Sequence, residues 1–272
     1  MTLSWIDGAP ADSLSLTDRG LAYGDGLFET ILVKTGVPLL FERHLQRLAS
    51  GGNRLALALE LPLIERECRA FAAQLGEGVM KLIVTRGDGQ RGYAPTPGAP
   101  ARRILQASPL PAYPPANSVQ GIRLFPCRTR LAEQPLLAGL KHLNRLEQVV
   151  ARSEWSDPEY AEGLMRDTTG RLVEAVYSNL FLVKGGMLLT PDLSRCGVEG
   201  VMRAELLDMA EQMNMPVRAL ELRMSDLQRA EEVFVCNSVY GIWPVRALEQ
   251  LNWPVGPVTR KLQNLVRQLL DI

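Results

Sequence analysis

Two basic side chains stand where a helix would ordinarily begin. In KHLNRLEQVVARSEW, Lys141 and His142 precede a stretch in which Leu143, Leu146 and Val150 recur among polar residues, and that spacing predicts a helix from Leu143 onward. A helix N-terminus carries partial positive charge and ordinarily opens with an acid, a serine or a proline, so a lysine there needs a reason. A solvated surface lysine is the ordinary reading. The chemical one is condensation of its amine with an aldehyde, because burial or cationic neighbours lower a lysine's pKa enough to make it nucleophilic.

If that aldehyde were pyridoxal phosphate, the chain would also have to supply a carboxylate for the pyridinium nitrogen and a cradle for the phosphate. Glu174, in RLVEAVYSNLFLV, sits among residues where an isolated carboxylate is costly to bury. It is either a solvent-facing strand residue or a paired one, and beside a pyridinium it would stabilise the charged ring. VEGVMRAELLDMA places Gly200 before a helix with few capping side chains, so the N–H groups near Val201 and Met202 could hold an anion. CNSVYG, with Ser238 and Val239, can present a hydroxyl and amides. Arg47 in HLQRL could clasp a phosphate, although an exposed helix arginine is the commoner case. In TRGDGQRGYAP, Arg91 and Tyr93 could trap a small organic acid, where the plain alternative is a solvated loop. GDGLFE lacks the third glycine and the following helix of a dinucleotide loop, and reads as a turn entering a strand.

Lysine plus arginine and aspartate plus glutamate each number 30 in 272 residues, giving zero formal charge. That balance weighs against a nucleic-acid partner, which would call for a basic excess. Cys68, Cys127, Cys196 and Cys236 are scattered without a CxxC pair, so free thiols in a reducing cytoplasm are expected. The two histidines, His44 and His142, lack zinc-ligand spacing, and no metal is expected. Neither a signal peptide nor an apolar run of membrane-spanning length is apparent, so a soluble protein is expected.

The elements that must position these residues divide at SPLPAYPPANS, a proline-rich linker over 108–118. Before it, residues 1–107 predict a small α/β domain. LFETILVKTGVPLLF reads as a hairpin turning near Thr35 and Gly36, ERHLQRLASGGNRLAL as a helix ended by Gly51 and Gly52, and PLIERECRAFAAQL as a second helix. VMKLIVTRG and RRILQAS read as strands. After it, residues 119–272 predict a larger α/β domain: strands in GIRLFPC, EGLMRD, LVEAVYSNLFLVKGG, MLLTP and EVFVCNS, helices in VEGVMRAELLDMAEQM and DLQRAEE, and a terminal helix from Val258.

Taken in order, DRGLAYGDGLFET, HLQRL, TRGDGQRGY, KHLNRLEQVVAR, EAVYSNLF, GVEGVMR and NSVYGIWPV resemble the fold-type IV pyridoxal-phosphate enzymes, which include branched-chain and D-amino-acid aminotransferases and aminodeoxychorismate lyase. The resemblance covers nearly the whole chain, and its order and spacing make it specific. It implies a mixed α/β (α+β) fold whose larger C-terminal domain is a pseudo-barrel, and pyridoxal 5'-phosphate as cofactor. It further implies Lys141 as the Schiff-base lysine and Glu174, five residues before Asn179, as partner of the ring nitrogen. Arg47, the backbone of Val201 and Met202, and Ser238 with the Val239 amide would take the phosphate, with Asn179 also at the cofactor. Arg91 and Tyr93 match positions that handle substrate carboxylates.

Within the family, KHLNRLEQVVAR and RGY look like the lyase branch. That implies elimination from 4-amino-4-deoxychorismate to 4-aminobenzoate and pyruvate, in a homodimer with sites near the subunit interface. An aminotransferase of the same fold is the nearer alternative, and a noncatalytic binding module the more distant one. Leu146 stands where branched-chain aminotransferases place a tyrosine, and Leu32 where several relatives are basic.

Overall fold

The computed structural model describes residues 3–271, which gather into two compact units. One comprises residues up to Pro111 together with Leu140–Asn144, and the other Ala112–Gly139 together with the chain from Arg145.

The first unit is built on six strands, β1 (Ser4–Ile6), β2 (Ala9–Pro10), β3 (Gly26–Lys34), β4 (Val37–Pro38), β5 (Gly78–Thr85) and β6 (Arg102–Ser108). They lie antiparallel in the order β2-β1-β6-β5-β3-β4. The β3–β4 hairpin turns where expected, because Thr35 and Gly36 both take positive φ, 49° and 76°, the geometry that matches the twist of the flanking strands. Helices α1 (Arg19–Tyr23), α2 (Phe41–Leu55) and α3 (Leu61–Leu75) complete the unit. Phe41, Leu48, Ile64 and Phe71 are buried from α2 and α3, and Trp5 of β1 meets Phe71 edge-on at 5.4 Å.

Gly51 and Gly52 do not end α2, which runs on to Leu55. A Cβ on Gly51 would come within 2.8 Å of Leu27 Cδ1, and one on Gly52 within 2.2 Å of Leu59 Cδ1. These glycines serve close approach rather than termination. The stop comes at Ala56, left-handed at φ 50°, whose N–H reaches the carbonyls of Gly52 and Asn53.

One edge of β3 is completed from far along the chain. β4 reaches only Val33 and Lys34, while at the other end Leu143 donates its N–H to the Gly26 carbonyl (3.1 Å) and Phe28 donates to the Lys141 carbonyl (2.9 Å), with Leu27 opposite His142. Leu143 is therefore paired as a strand residue, and the helix expected from it starts later.

The second unit folds around β7 (Ile122–Leu131), β8 (Tyr160–Asp167), β9 (Leu172–Ala175), β10 (Asn179–Lys184), β11 (Met187–Pro191), β12 (Val217–Leu220), β13 (Glu232–Asn237), β14 (Gly241–Leu248) and β15 (Leu251–Asn252). The sheet is mixed and curled, ordered β12-β11-β10-β13-β14-β7-β8-β9 with β15 beside β14. Its helices are α4 (Ala116–Val119), α5 (Leu146–Arg152), α6 (Val201–Gln212), α7 (Met224–Gln228) and α8 (Pro257–Leu270). β10 and β13 are covered on both faces, which is why they read as continuous apolar runs. Leu180, Leu182, Val233 and Val235 pack with Trp243 on one side, and Phe181 stacks on Phe234 at 5.1 Å. α8 has no acid in its first turn, but Glu232 of β13 accepts from the Val258 and Thr259 amides, capping it through tertiary contact.

Candidate active site

In the first unit, Lys141 is fixed through its backbone to β3, and its Nζ lies 4.4 Å from the centroid of the Phe28 ring, a cation–π distance. The next residue of β3, Glu29, is 2% exposed. It accepts from His44 Nδ1 at 2.6 Å and from Arg47 through Nε at 2.9 Å and through Nη2. Burial pushes this carboxyl up, but the Arg47 charge and the hydrogen bonds from His44 and Arg47 outweigh it and hold the group down at about 2. Burial pushes His44 below its ordinary value, aided by the Arg47 and Lys141 charges and opposed by Glu29. The result is a neutral imidazole donating from Nδ1 to an ionised carboxylate. Arg47 is thus held in a fixed orientation, with Glu29 as its orienting partner.

Arg91 and Tyr93 lie on the exposed loop after β5, and Tyr93 is 86% exposed. Their loop is held from α1: buried Arg19 donates to the carbonyls of Gly92 (3.0 Å) and Tyr93 (2.8 Å), and the Gly92 amide donates to Tyr23 Oη (3.1 Å). The rings of Tyr23 and Tyr93 are 5.5 Å apart.

In the second unit, β9 and β10 are joined by a tight turn at 176–178, closed by the Ala175 amide on the Ser178 carbonyl at 2.7 Å. Glu174 and Asn179 flank that turn, both buried. Together they clamp one residue: Glu174 Oε2 accepts from the Val198 amide at 2.9 Å, and Asn179 Nδ2 donates to the Val198 carbonyl at 2.8 Å. The segment is held on its other side too, by Gly139 to Gly197 (2.9 Å) and Glu199 to Gly139 (3.0 Å). Arg145, at the start of α5, places a positive charge in the field of Glu174 while burial lowers its own pKa.

Past Val198 the chain enters α6 at Gly200, whose extended backbone carries no side-chain cap. A Cβ there would fall 1.9 Å from Asn179 Oδ1, so only glycine lets Asn179 reach the helix mouth. The first turn, with buried Val201 and Met202, holds no acid. Its first N–H groups have no side-chain cap, the arrangement by which a helix N-terminus can accommodate an anion. Ser238 and Val239 lie in the turn between β13 and β14. The Val239 amide, expected to face an anion, instead donates to Asn237 Oδ1 at 3.0 Å, as does the Tyr240 amide. Asn237 thereby fixes that turn.

The structure brings Lys141 and Arg47 to the Phe28–Glu29 stretch of one unit, and Glu174, Asn179 and the start of α6 around Val198 in the other. Sequence reasoning passed over Glu29, Arg19 and Asn237. For Glu29 a signal was present, a carboxylate inside the apolar strand GLFETILVK; for Asn237, and for the Arg19 contacts that hold the Gly92–Tyr93 loop, the partners are backbone groups that no side-chain pattern announces.

The amino-transferase class IV family model matches residues 26–248. The chain is 33% identical over 269 residues to an aminodeoxychorismate lyase of Vibrio harveyi, covering 95% of this chain and 97% of that protein. It is similar to the crystal structure of 4-amino-4-deoxychorismate lyase from Pseudomonas aeruginosa, with 61% identity, a TM-score of 0.98, and coverage of 99% and 100% of the two chains. A branched-chain amino acid aminotransferase of Escherichia coli superposes with a TM-score of 0.85 at 26% identity, covering 96% of this chain and 92% of that one.

Proposed function

The chain belongs to the amino-transferase class IV family, and on that premise we propose that it is a 4-amino-4-deoxychorismate lyase that uses pyridoxal phosphate to form 4-aminobenzoate and pyruvate. The observation that carries the choice of lyase over aminotransferase is the 61% identity to the Pseudomonas aeruginosa lyase across 99% of this chain, against 26% to the Escherichia coli aminotransferase.

The residues present fit the cofactor. A buried carboxylate, Glu174, suits a protonated ring nitrogen, and the uncapped, acid-free mouth of α6 suits a phosphate, with Gly200 keeping it open. When bound, pyridoxal phosphate supplies an electron sink for the carbon that carries the substrate amine. Lys141 would hold it covalently and yield to the substrate amine. Glu174, fixed by the Val198 amide, would keep the ring nitrogen protonated, with Asn179 bracing the same segment. Arg47, oriented by Glu29, would contribute a fixed positive charge at the phosphate. The Val201 and Met202 amides would bind phosphate oxygens, and Ser238 and Val239, in a turn fixed by Asn237, would close that side.

The freed Lys141 amine acts as general base, taking the proton from the ring carbon next to the substrate nitrogen. The ether carbon–oxygen bond then breaks, the proton passes to the leaving enolpyruvyl oxygen, and the ring becomes aromatic, which makes the departure favourable. Arg91 and Tyr93 serve the substrate carboxylates. The same reading carries a homodimer, checked by light scattering, and residence in the cytoplasm; no helix among the described residues is long and apolar enough to cross a membrane.

The test is product stoichiometry with purified enzyme, cofactor and 4-amino-4-deoxychorismate. Pyruvate and 4-aminobenzoate should appear in equal amounts without any added 2-oxo acid. Product formation strictly dependent on a 2-oxo acid would overturn the lyase reading in favour of the aminotransferase.

A further inference from the structure

We infer that Glu162 is a positioning residue that ties together the two turns of the second unit on which the proposed cofactor contacts depend, 176–178 and 237–240; the inference rests on the function proposed above. Glu162, on β8, is fully buried. Its Oε1 accepts from the amides of Gly163 (2.9 Å) and Val176 (3.0 Å), and its Oε2 from the Tyr177 amide (3.2 Å) and Ser178 Oγ (2.7 Å). One carboxylate therefore spans the whole turn between Glu174 and Asn179, the two residues that clamp Val198.

The chain of contacts continues. Ser178 Oγ lies 2.6 Å from Tyr240 Oη, and Tyr240 is stacked on Trp243 with centroids 3.7 Å apart. When Tyr240 donates to Ser178 and Ser178 donates to Glu162, every oxygen in the series has a partner of the right kind and the carboxylate has four donors. Tyr240 also donates its amide to Asn237 Oδ1, which fixes the turn bearing Ser238 and Val239. Burial pushes the Glu162 carboxyl up, to about 8, against the hydrogen bonds from Ser178 and the three amides that pull it down. Burying a carboxylate is costly, and closing a short turn needs only one neutral acceptor. A group that holds three successive residues and reaches a second turn through a hydroxyl relay does more than close a turn: it sets the relative position of the Glu174–Asn179 hairpin and the Ser238–Val239 turn.

Three variants test this, Glu162→Gln, Ser178→Ala and Tyr240→Phe, each compared with wild type by titrating apoprotein with pyridoxal phosphate and recording the visible band of the saturated protein across pH. Glu162→Gln turns an amide NH₂ toward donors. It should weaken cofactor affinity about 10-fold or more, from the loss of buried hydrogen bonds and the donors left without an acceptor, and should displace the pH response of the band through Glu174. Tyr240→Phe should weaken affinity about 3-fold, the size of one neutral hydrogen bond, and leave the band unchanged. Folded Glu162→Gln protein with wild-type affinity and band would overturn the inference while leaving the lyase reading intact if wild type still forms both products. Should Glu162→Gln not fold, unchanged affinity in both Ser178→Ala and Tyr240→Phe overturns it equally. Wild-type protein that takes up no cofactor would overturn the functional reading, and the inference with it.

Discussion

Replacing Glu29 with glutamine removes one buried charge whose energetic weight can be worked from its surroundings. The carboxyl is held from its usual 4.5 down to about 2 by Arg47 and His44 despite burial. At about 1.4 kcal/mol per pH unit, that difference corresponds to about 3 kcal/mol of stability carried by the ionised form. The group is 2% exposed, so solvent screening does little to reduce it. Because the folded value lies below the unfolded one, this contribution is complete above pH 4.5 and is lost as pH falls through 4.5 toward about 2. His44 adds an earlier loss of the same sign. Its folded pKa lies below the usual 6.5, so the unfolded chain takes up that proton first and stability declines as pH drops below 6.5. Glu29→Gln should therefore cost about 3 kcal/mol at neutral pH, and the gap between variant and wild type should narrow steadily below pH 4.5. Urea unfolding followed by tryptophan fluorescence, repeated from neutral pH to about pH 3, measures this gap, and carbon-13 NMR of the glutamate carboxyls reads the titration itself. A gap that stays constant with pH, or a Glu29 carboxyl that titrates near 4.5 in the folded protein, would refute the argument.

Lys141→Ala should abolish turnover; after borohydride reduction, mass spectrometry should find cofactor fixed to the wild-type chain and absent from the variant, and residual turnover would remove Lys141 from its role. Glu174→Gln should retain cofactor yet lose on the order of 100-fold in kcat, the scale of removing one strong electrostatic contact at a developing charge; unchanged kcat would exclude it as the ring-nitrogen partner. Gly200→Ala carries no backbone strain, since φ is −68°, but its Cβ must drive Asn179 away from 1.9 Å. Equilibrium dialysis should show cofactor affinity weakened by about 10-fold, in line with loss of a buried hydrogen bond and its brace.

The parts of this architecture set by local chemistry could be read from the residue order. Thr35 and Gly36 announced the hairpin because positive φ at both positions is a property of the turn itself, and the apolar runs of β10 and β13 followed from burial on both faces. Signals with two physical causes were misread. Gly51 and Gly52 look like a helix stop, yet their lack of Cβ is used by Leu27 and Leu59. Leu143 has helical spacing with Leu146, yet its N–H is taken by Gly26. In the candidate site, Lys141 and Glu174 stood out because two basic groups ahead of a helical pattern and a carboxylate in an apolar strand both conflict with their settings, although α5 begins only at Leu146 and Lys141 itself pairs with β3. Glu162 was not, since a glutamate in YAEGLMRD passes for a solvent-facing strand residue. The Val198 clamp and the Asn237 turn depend on backbone partners brought close only by the fold.

The five-residue excursion Leu140–Asn144 bears on how the protein is made. During vectorial synthesis the sheet of the first unit can assemble once β6 has emerged, but the outer edge of β3 from Gly26 to Phe28 then waits for a segment still to be translated; the side-chain bond from Asn144 to the Gly24 carbonyl spans 120 positions. Through that interval the nascent chain shows a strand edge able to pair with a neighbouring polypeptide. The arrival of Lys141 to Leu143 seals the edge, so the stretch carrying the proposed nucleophile also ends a period of aggregation risk. Because the seal uses the lysine's carbonyl and not its amine, selection can alter the side chain for chemistry without reopening the seam.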